Sequence, residues 1–271
     1  MFRPDDPEPT ETHNAPRTFR AYNVGIAKTG STSMAGIFGR YRSAHEFMFE
    51  ESTKTIVQYT TGVLAREALR EFVLRRDRLG NLEMDSASFS FSYADILVEL
   101  FPTALFILTI RDCYSWLDSL LNMILLIGPR MPAWMLEYGQ KVNGYSFTAS
   151  MVEPRDTLIR HLPDLIESSL RYWSTANELL LKRLPPERTL ILRTDRISTS
   201  IDRIACFVGV PETTLLAEQS HLFHAQRKFA LLHQVEYGFL ADRFDHYCRN
   251  LMSEYFPSYS LRDFLTGSPM S

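Results

Sequence analysis

The stretch NVGIAKTGSTSMAG, residues 23–36, joins a turn of small residues to the start of a helical pattern, and its reading decides the fold. Gly25 and Gly30 stand at the interval of a phosphate-binding loop, and Ser31 and Thr32 follow directly. A nucleoside-triphosphate loop places its lysine immediately after the second glycine and before a Ser or Thr. Here the lysine, Lys28, lies inside the loop, two residues before Gly30. A turn of this kind directs backbone N–H groups towards one point, and the partial positive charge of a helix start favours an anion there. The plainer reading is a tight turn that caps a helix. The displaced lysine raises the question of which anion the loop holds.

The bulk properties narrow the answer. The chain has 271 residues, 45% of them hydrophobic and 23% charged, which is ordinary for a globular domain. A net charge of −3 argues against a nucleic-acid partner, so any polyanion must be held by a local site. Cys113, Cys206 and Cys248 are odd in number and widely spaced, which suits a reducing compartment and neither a disulfide framework nor a zinc site. Residues 1–17, polar and acidic, are expected to form a disordered tail and lack the apolar core of a signal peptide. The apolar run from Leu120 to Leu136 is broken by Gly128, Pro129, Arg130 and Pro132, too interrupted for a membrane span. The expected location is the cytoplasm.

Outward from the loop, strand and helix patterns alternate. FRAYNVGI (19–26) reads as a strand entering the turn, and SMAGIFGRY (33–41) as a short helix. Residues 61–77 show the apolar spacing of an amphipathic helix, with Val63, Leu64, Ala68, Phe72 and Val73 on one side. NLEMD (81–85) is a short strand, followed by a helix over 92–101 that Pro102 stops. ALFILTI (104–110) is a continuous run rich in β-branched residues, the form taken by a buried strand of a parallel sheet. Helices are expected over 111–126, about 156–183, 198–211 and 229–255, with a strand at 188–193. This alternation predicts an α/β domain over residues 18–271: a central, mostly parallel β-sheet flanked by helices. Ligands of such sheets gather at the carboxyl ends of the strands, here after Ile26 and after Ile110.

The second of these ends has chemistry of its own. TIRDCYSWLDS (109–119) places Arg111 at the exit of the apolar strand, with Ser115 and Ser119 four apart on one face of the next helix. A guanidinium forks onto phosphate oxygens, and a hydroxyl two turns along can assist it. The alternative is that Arg111 pairs with Asp112 or another acid and Ser119 is surface filler. Two anion sites at two strand ends suit a ligand with two separated phosphate groups.

Together AKTGSTS (27–33) and ILTIRDCYSWLDS (107–119) resemble the two nucleotide motifs of the sulfotransferases, and AKTGSTS with SAHEF is similar to the bacterial branch with an RTGT-type loop. The resemblance implies a fold like that of P-loop NTPases. It also implies 3′-phosphoadenosine 5′-phosphosulfate as donor, 3′-phosphoadenosine 5′-phosphate as product, and no required metal. By position Lys28, Thr29, Gly30, Ser31, Thr32 and Ser33 match the loop for the 5′ group, and Arg111 and Ser119 match the pair for the 3′-phosphate. There are departures. Many members stack a Trp on adenine where this chain has Ser33, and Arg193 replaces a frequent Tyr. The family's Arg-Lys-Gly signature is echoed only in part by Arg227 and Lys228, which are either 3′-side contacts or a surface basic pair.

In this reading Lys28 stabilises the leaving group, a role of preorganised charge. His45 is the first candidate for the base that takes the acceptor's proton, with Glu46 and Asp85 as alternatives. The Met- and aromatic-rich segment from Leu120 to Tyr145 is either a lid over an apolar pocket or an ordinary buried helix. As a lid it implies a small lipophilic or phenolic acceptor offering a hydroxyl or amine. A P-loop-type nucleotide kinase and a non-catalytic nucleotide-binding protein are the competing readings. Nothing in the sequence sets the oligomeric state.

Overall fold

Three residues are enough to make the first strand, because every side chain in it is buried: β1 (Ala21–Asn23) threads the middle of a sheet. The computed structural model describes residues 15–148, 151, 155–221 and 229–267. The chain divides into two units, residues 1–109 with 183–223 and residues 110–182 with 224–271.

In the first unit β1 leads through the loop into α1 (Ser31–Ile37), then β2 (Ser43–His45), α2 (Phe49–Thr60), α3 (Arg66–Gly80), β3 (Met84–Ser86) and α4 (Ala94–Leu100). The apolar run becomes β4 (Leu105–Ile110), whose last five residues are buried. The strand order is β2-β3-β1-β4-β5, and β5 (Thr189–Arg193) takes the edge beside β4. The pairings of β1 with β3, β1 with β4 and β2 with β3 are parallel. The expected α/β fold, a parallel sheet flanked by helices, is therefore what the chain forms.

Parallel registry decides where the loops emerge. Asn23 pairs with Ser86 on one side and Ile107 on the other, and His45 pairs with Ser86. The carboxyl ends of β1, β2, β3 and β4 thus open along one margin of the sheet. Beneath them Phe19, Met34, Ile37, Met84 and Ile107 form one apolar cluster with Leu192, Ile204 and Val208. The last two lie on α8 (Ile201–Val208), which buries positions 201, 204, 205 and 208. That is the spacing of one helical face. Gly209 ends this helix at φ 76°, donating its N–H to Ala205 O at 2.9 Å.

The second unit is built on α5 (Cys113–Ile127), α6 (Ala133–Lys141), most of α7 (Arg155–Arg183), α9 (Tyr237–Tyr255) and α10 (Leu261–Thr266). Trp116, Leu120, Leu165, Leu170 and Trp173 are buried in it. Tyr114 meets Phe244 edge-on at 4.7 Å between ring centroids. Among the described residues no helix is long and apolar enough to cross a membrane.

Several elements differ from the sequence reading. β2 and α2 are absent from it, because β2 is a partly exposed three-residue edge strand without an apolar pattern. The inner face of α2 is half polar, with Ser52 and Thr53 buried beside Ile56 and Val57. The helix expected over 61–77 begins only at Arg66. Residues 61–64 instead close α2: Gly62 is left-handed at φ 77°, and Val63 N and Leu64 N both donate to Gln58 O.

Candidate functional site

The loop after β1 is held from below by hydroxyl and amide side chains. Asn23 Oδ1 accepts the N–H of Gly25 at 3.3 Å and the hydroxyl of Thr109 at 3.4 Å. Thr29, fully buried, donates through Oγ1 to Ile26 O at 2.7 Å and lies 3.0 Å from Thr109 Oγ1. Thr194 closes the other side, donating to Thr29 O at 2.8 Å. Thr29 is thus a structural pin of the loop, its hydroxyl turned inward.

The glycines have separate reasons. A Cβ on Gly25 would stand 2.2 Å from Thr109 Oγ1, 2.5 Å from Thr109 O and 2.6 Å from Thr29 Oγ1. No side chain fits there. Gly30 caps α1 at φ 104°, a left-handed conformation that other residues rarely adopt. Lys28 is left-handed too, at φ 70° without being glycine, and such backbone strain gathers at functional loops.

The hydroxyls face a histidine. Ser31 Oγ and Thr32 Oγ1 lie 3.1 and 3.2 Å from His45 Nε2. The register of β2 on β3 sets this approach, since Ser86, the partner of His45, donates its hydroxyl to Ser31 O at 2.7 Å. His45 is exposed at the strand end, yet the protein packed against its ring partly desolvates it. Desolvation holds its pKa below the usual value, Lys28 pushes the same way, and Glu46 opposes them. The imidazole is therefore neutral near pH 7 and able to accept a proton.

Glu46 follows at φ 56°, and Ser88 donates to its Oε1 at 2.5 Å. Asp85 is buried on β3, its two oxygens taken by the Nη1 and Nη2 of Arg76. Ser33 is buried on α1. Arg193 turns to Asp195, with bonds of 3.0 and 2.8 Å. The first unit thus groups Lys28, Ser31, Thr32, His45 and Glu46 at one margin, while Asp85 and Thr29 serve from within.

The second stretch builds its own cluster in the second unit. Asp112 caps α5 by accepting the N–H of Ser115 at 2.8 Å, and it also accepts the Ser115 hydroxyl. Arg111 Nε donates to Ser115 Oγ at 2.9 Å, so Ser115 links the guanidinium to the cap. Trp173 Nε1 fixes the backbone by donating to Arg111 O at 3.1 Å. Burial lowers the pKa of Arg111, while Asp112, Asp118 and Tyr259 raise it. The group stays cationic at neutral pH. Ser119 follows Ser115 by one turn of α5. Arg227 and Lys228 lie outside the described residues.

Sequence reasoning assigned no part to Asn23, Thr109, Ser88 or Arg76. Thr109 carried a signal, as the one hydroxyl within an otherwise apolar strand. The other three acquire meaning only through partners distant in sequence.

The family model described as the sulfotransferase domain matches residues 23–214, well over half of the chain. Among solved structures, the chain is similar to the crystal structure of a sulfotransferase from Alicyclobacillus acidocaldarius. The two are 11% identical, the match covers 85% of this chain and 96% of that one, and the TM-score is 0.43. No curated protein matches the chain.

The packing around Gly25 leads to a direct expectation. Gly25→Ala should destabilise the protein by about 1–3 kcal/mol, the usual cost of overpacking, seen as a lower midpoint in urea unfolding. An unchanged midpoint would show that the loop has room that the Thr109 contacts deny.

Proposed function

This chain belongs to the sulfotransferase domain family, and we propose from that membership that it moves a sulfuryl group from 3′-phosphoadenosine 5′-phosphosulfate to a hydroxyl or amine of a small, lipophilic or phenolic acceptor. The observation that carries the reading is the approach of His45 Nε2 to both hydroxyls of the Lys28 loop. It joins a candidate proton acceptor to the segment that would hold the reacting end of the donor.

The donor set fits such a nucleotide. Lys28, Ser31 and Thr32 offer an ammonium and two hydroxyls, and Arg111 with Ser119 offers a guanidinium and a hydroxyl. All can donate to anionic oxygens. The nucleotide, when bound, supplies an activated sulfuryl group on its 5′-phosphate and a second phosphate at the 3′ position.

The residues then divide the work. Lys28 holds positive charge where charge builds on the departing oxygen, the kind of preorganised stabilisation worth a few kcal/mol per group. Ser31 and Thr32 bind oxygens of the 5′ group. Arg111 binds the 3′-phosphate through its planar fork, with Ser119 beside it. His45, neutral, takes the acceptor's proton at Nε2. Glu46, next along the chain, is the second candidate for that proton, and Asp85 is engaged by Arg76.

Three measurements test this. Lys28→Ala should lower kcat about 10²–10³-fold, the scale of one removed transition-state donor, while the 3′,5′-bisphosphate product still binds in calorimetry. Full turnover in this variant would remove the lysine from the chemistry. Arg111→Ala should abolish the preference for 3′-phosphoadenosine 5′-phosphate over AMP, and a preserved preference would place the 3′ contact elsewhere. The acceptor-dependent rate should hold down to pH about 6.5 and fall only below it, because the proton-accepting form of His45 is lost as pH drops through its lowered pKa. His45→Gln should erase that acidic limb, and a limb that persists would shift the role to Glu46.

A further inference from the structure

Arg76 on α3 is a charged side chain with only 3% of its surface exposed. A buried charge needs close partners, and a pair kept for stability alone can often be replaced by apolar residues. Its contacts show what else it does. Nη1 and Nη2 grip the carboxylate of Asp85, the Nη2 bond being 2.9 Å. Nε and Nη2 also donate to a backbone oxygen, Phe47 O, at 3.1 and 2.9 Å. Burial opposes the charge on Arg76, but the carboxylate outweighs it and the pKa is raised, so the guanidinium stays charged.

The gripped carbonyl lies in an unusual turn. Phe47 stands between Glu46 at φ 56° and Met48 at φ 53°, two left-handed residues, neither of them glycine. Each such residue is strained, and the conformation persists only where its surroundings enforce it. The Phe47 ring also lies under the guanidinium, 5.6 Å from its carbon. Directly before this turn comes His45, and directly after Asp85 comes Ser86, the sheet partner of His45. A single guanidinium therefore ties β3 to the chain that leaves β2.

We propose that Arg76 is a positioning residue for the proton acceptor: by bridging Asp85 to Phe47 O it enforces the left-handed turn at 46–48 and aims His45 at the hydroxyls of Ser31 and Thr32. The role in turnover rests on the reading of His45 as the base, whereas the structural bridge does not. Asp85 then works through Arg76 and not on the acceptor. Ser88, bound to Glu46 Oε1, holds the same turn from its other side.

Arg76→Lys tests this, since an ammonium can pair with Asp85 but lacks the fork that reaches Phe47 O at the same time. The readout is the His45 ring resonance, identified by its absence in His45→Gln and titrated by NMR. The charged groups beside that ring, Lys28 and Glu46, stay in place. In folded Arg76→Lys the His45 titration should move up towards the free value of about 6.5, as the ring swings out to water. kcat should fall about tenfold or more, while binding of 3′-phosphoadenosine 5′-phosphate stays near wild type. An unmoved titration with unchanged kcat would overturn the proposal. If Arg76→Lys does not fold, Met48→Val, whose branched side chain disfavours φ > 0, loosens the same turn with Arg76 retained. It should displace the His45 resonance in the same direction, and an identical resonance would overturn the proposal. Undiminished turnover in His45→Gln would remove the base reading alone, and the displaced resonance in Arg76→Lys would still support the bridge.

Discussion

The site in the first unit depends on a place where only a hydrogen atom fits. β1 and β4 run side by side in parallel, which brings Thr109 under the loop that leaves β1. Any Cβ on Gly25 would collide with Thr109 and Thr29, so the loop lies flat on the strand and its turn is decided by packing. Thr29, Thr194 and Asn23 then bind its remaining polar groups from within. With these inward bonds made, the loop presents Ser31 and Thr32 to His45. Interiors this tightly packed leave few alternatives, so one small residue can determine the course of several others.

Charge is arranged with similar economy. The margin of the first unit carries Lys28 beside a histidine kept neutral by desolvation, so a cation and a proton acceptor coexist without neutralising each other. The acid that sequence inspection offers as a base, Asp85, is drawn into the interior by Arg76. In the second unit Arg111 donates through Nε to Ser115, which the cap of α5 holds in turn. The chain's membership of the sulfotransferase domain family rests on the match over residues 23–214.

Much of the fold was readable in advance because its signals are local. The continuous run ALFILTI carries its burial in its composition and became β4. The spacing of Ile201, Ile204, Ala205 and Val208 carries the buried face of α8. Elements whose identity is conferred by neighbours escaped notice. β2 is a strand only because β3 lies alongside it, and α2 buries Ser52 and Thr53 at positions where a helical pattern needs apolar residues. The start of α3 was misplaced because Gly62 terminates one helix instead of lying within another.

The same division runs through the site. By itself the sequence determined the loop with its internal lysine, the arginine at the end of the apolar strand, and the serines that follow it, because glycine spacing and strand exits are properties of short segments. Tertiary structure alone decided that His45 faces Ser31 and Thr32, that Thr29 points inward, and that Asp85 serves a buried guanidinium. Each of those outcomes depends on which strands pair and in what register, and register is fixed by contacts among residues tens of positions apart.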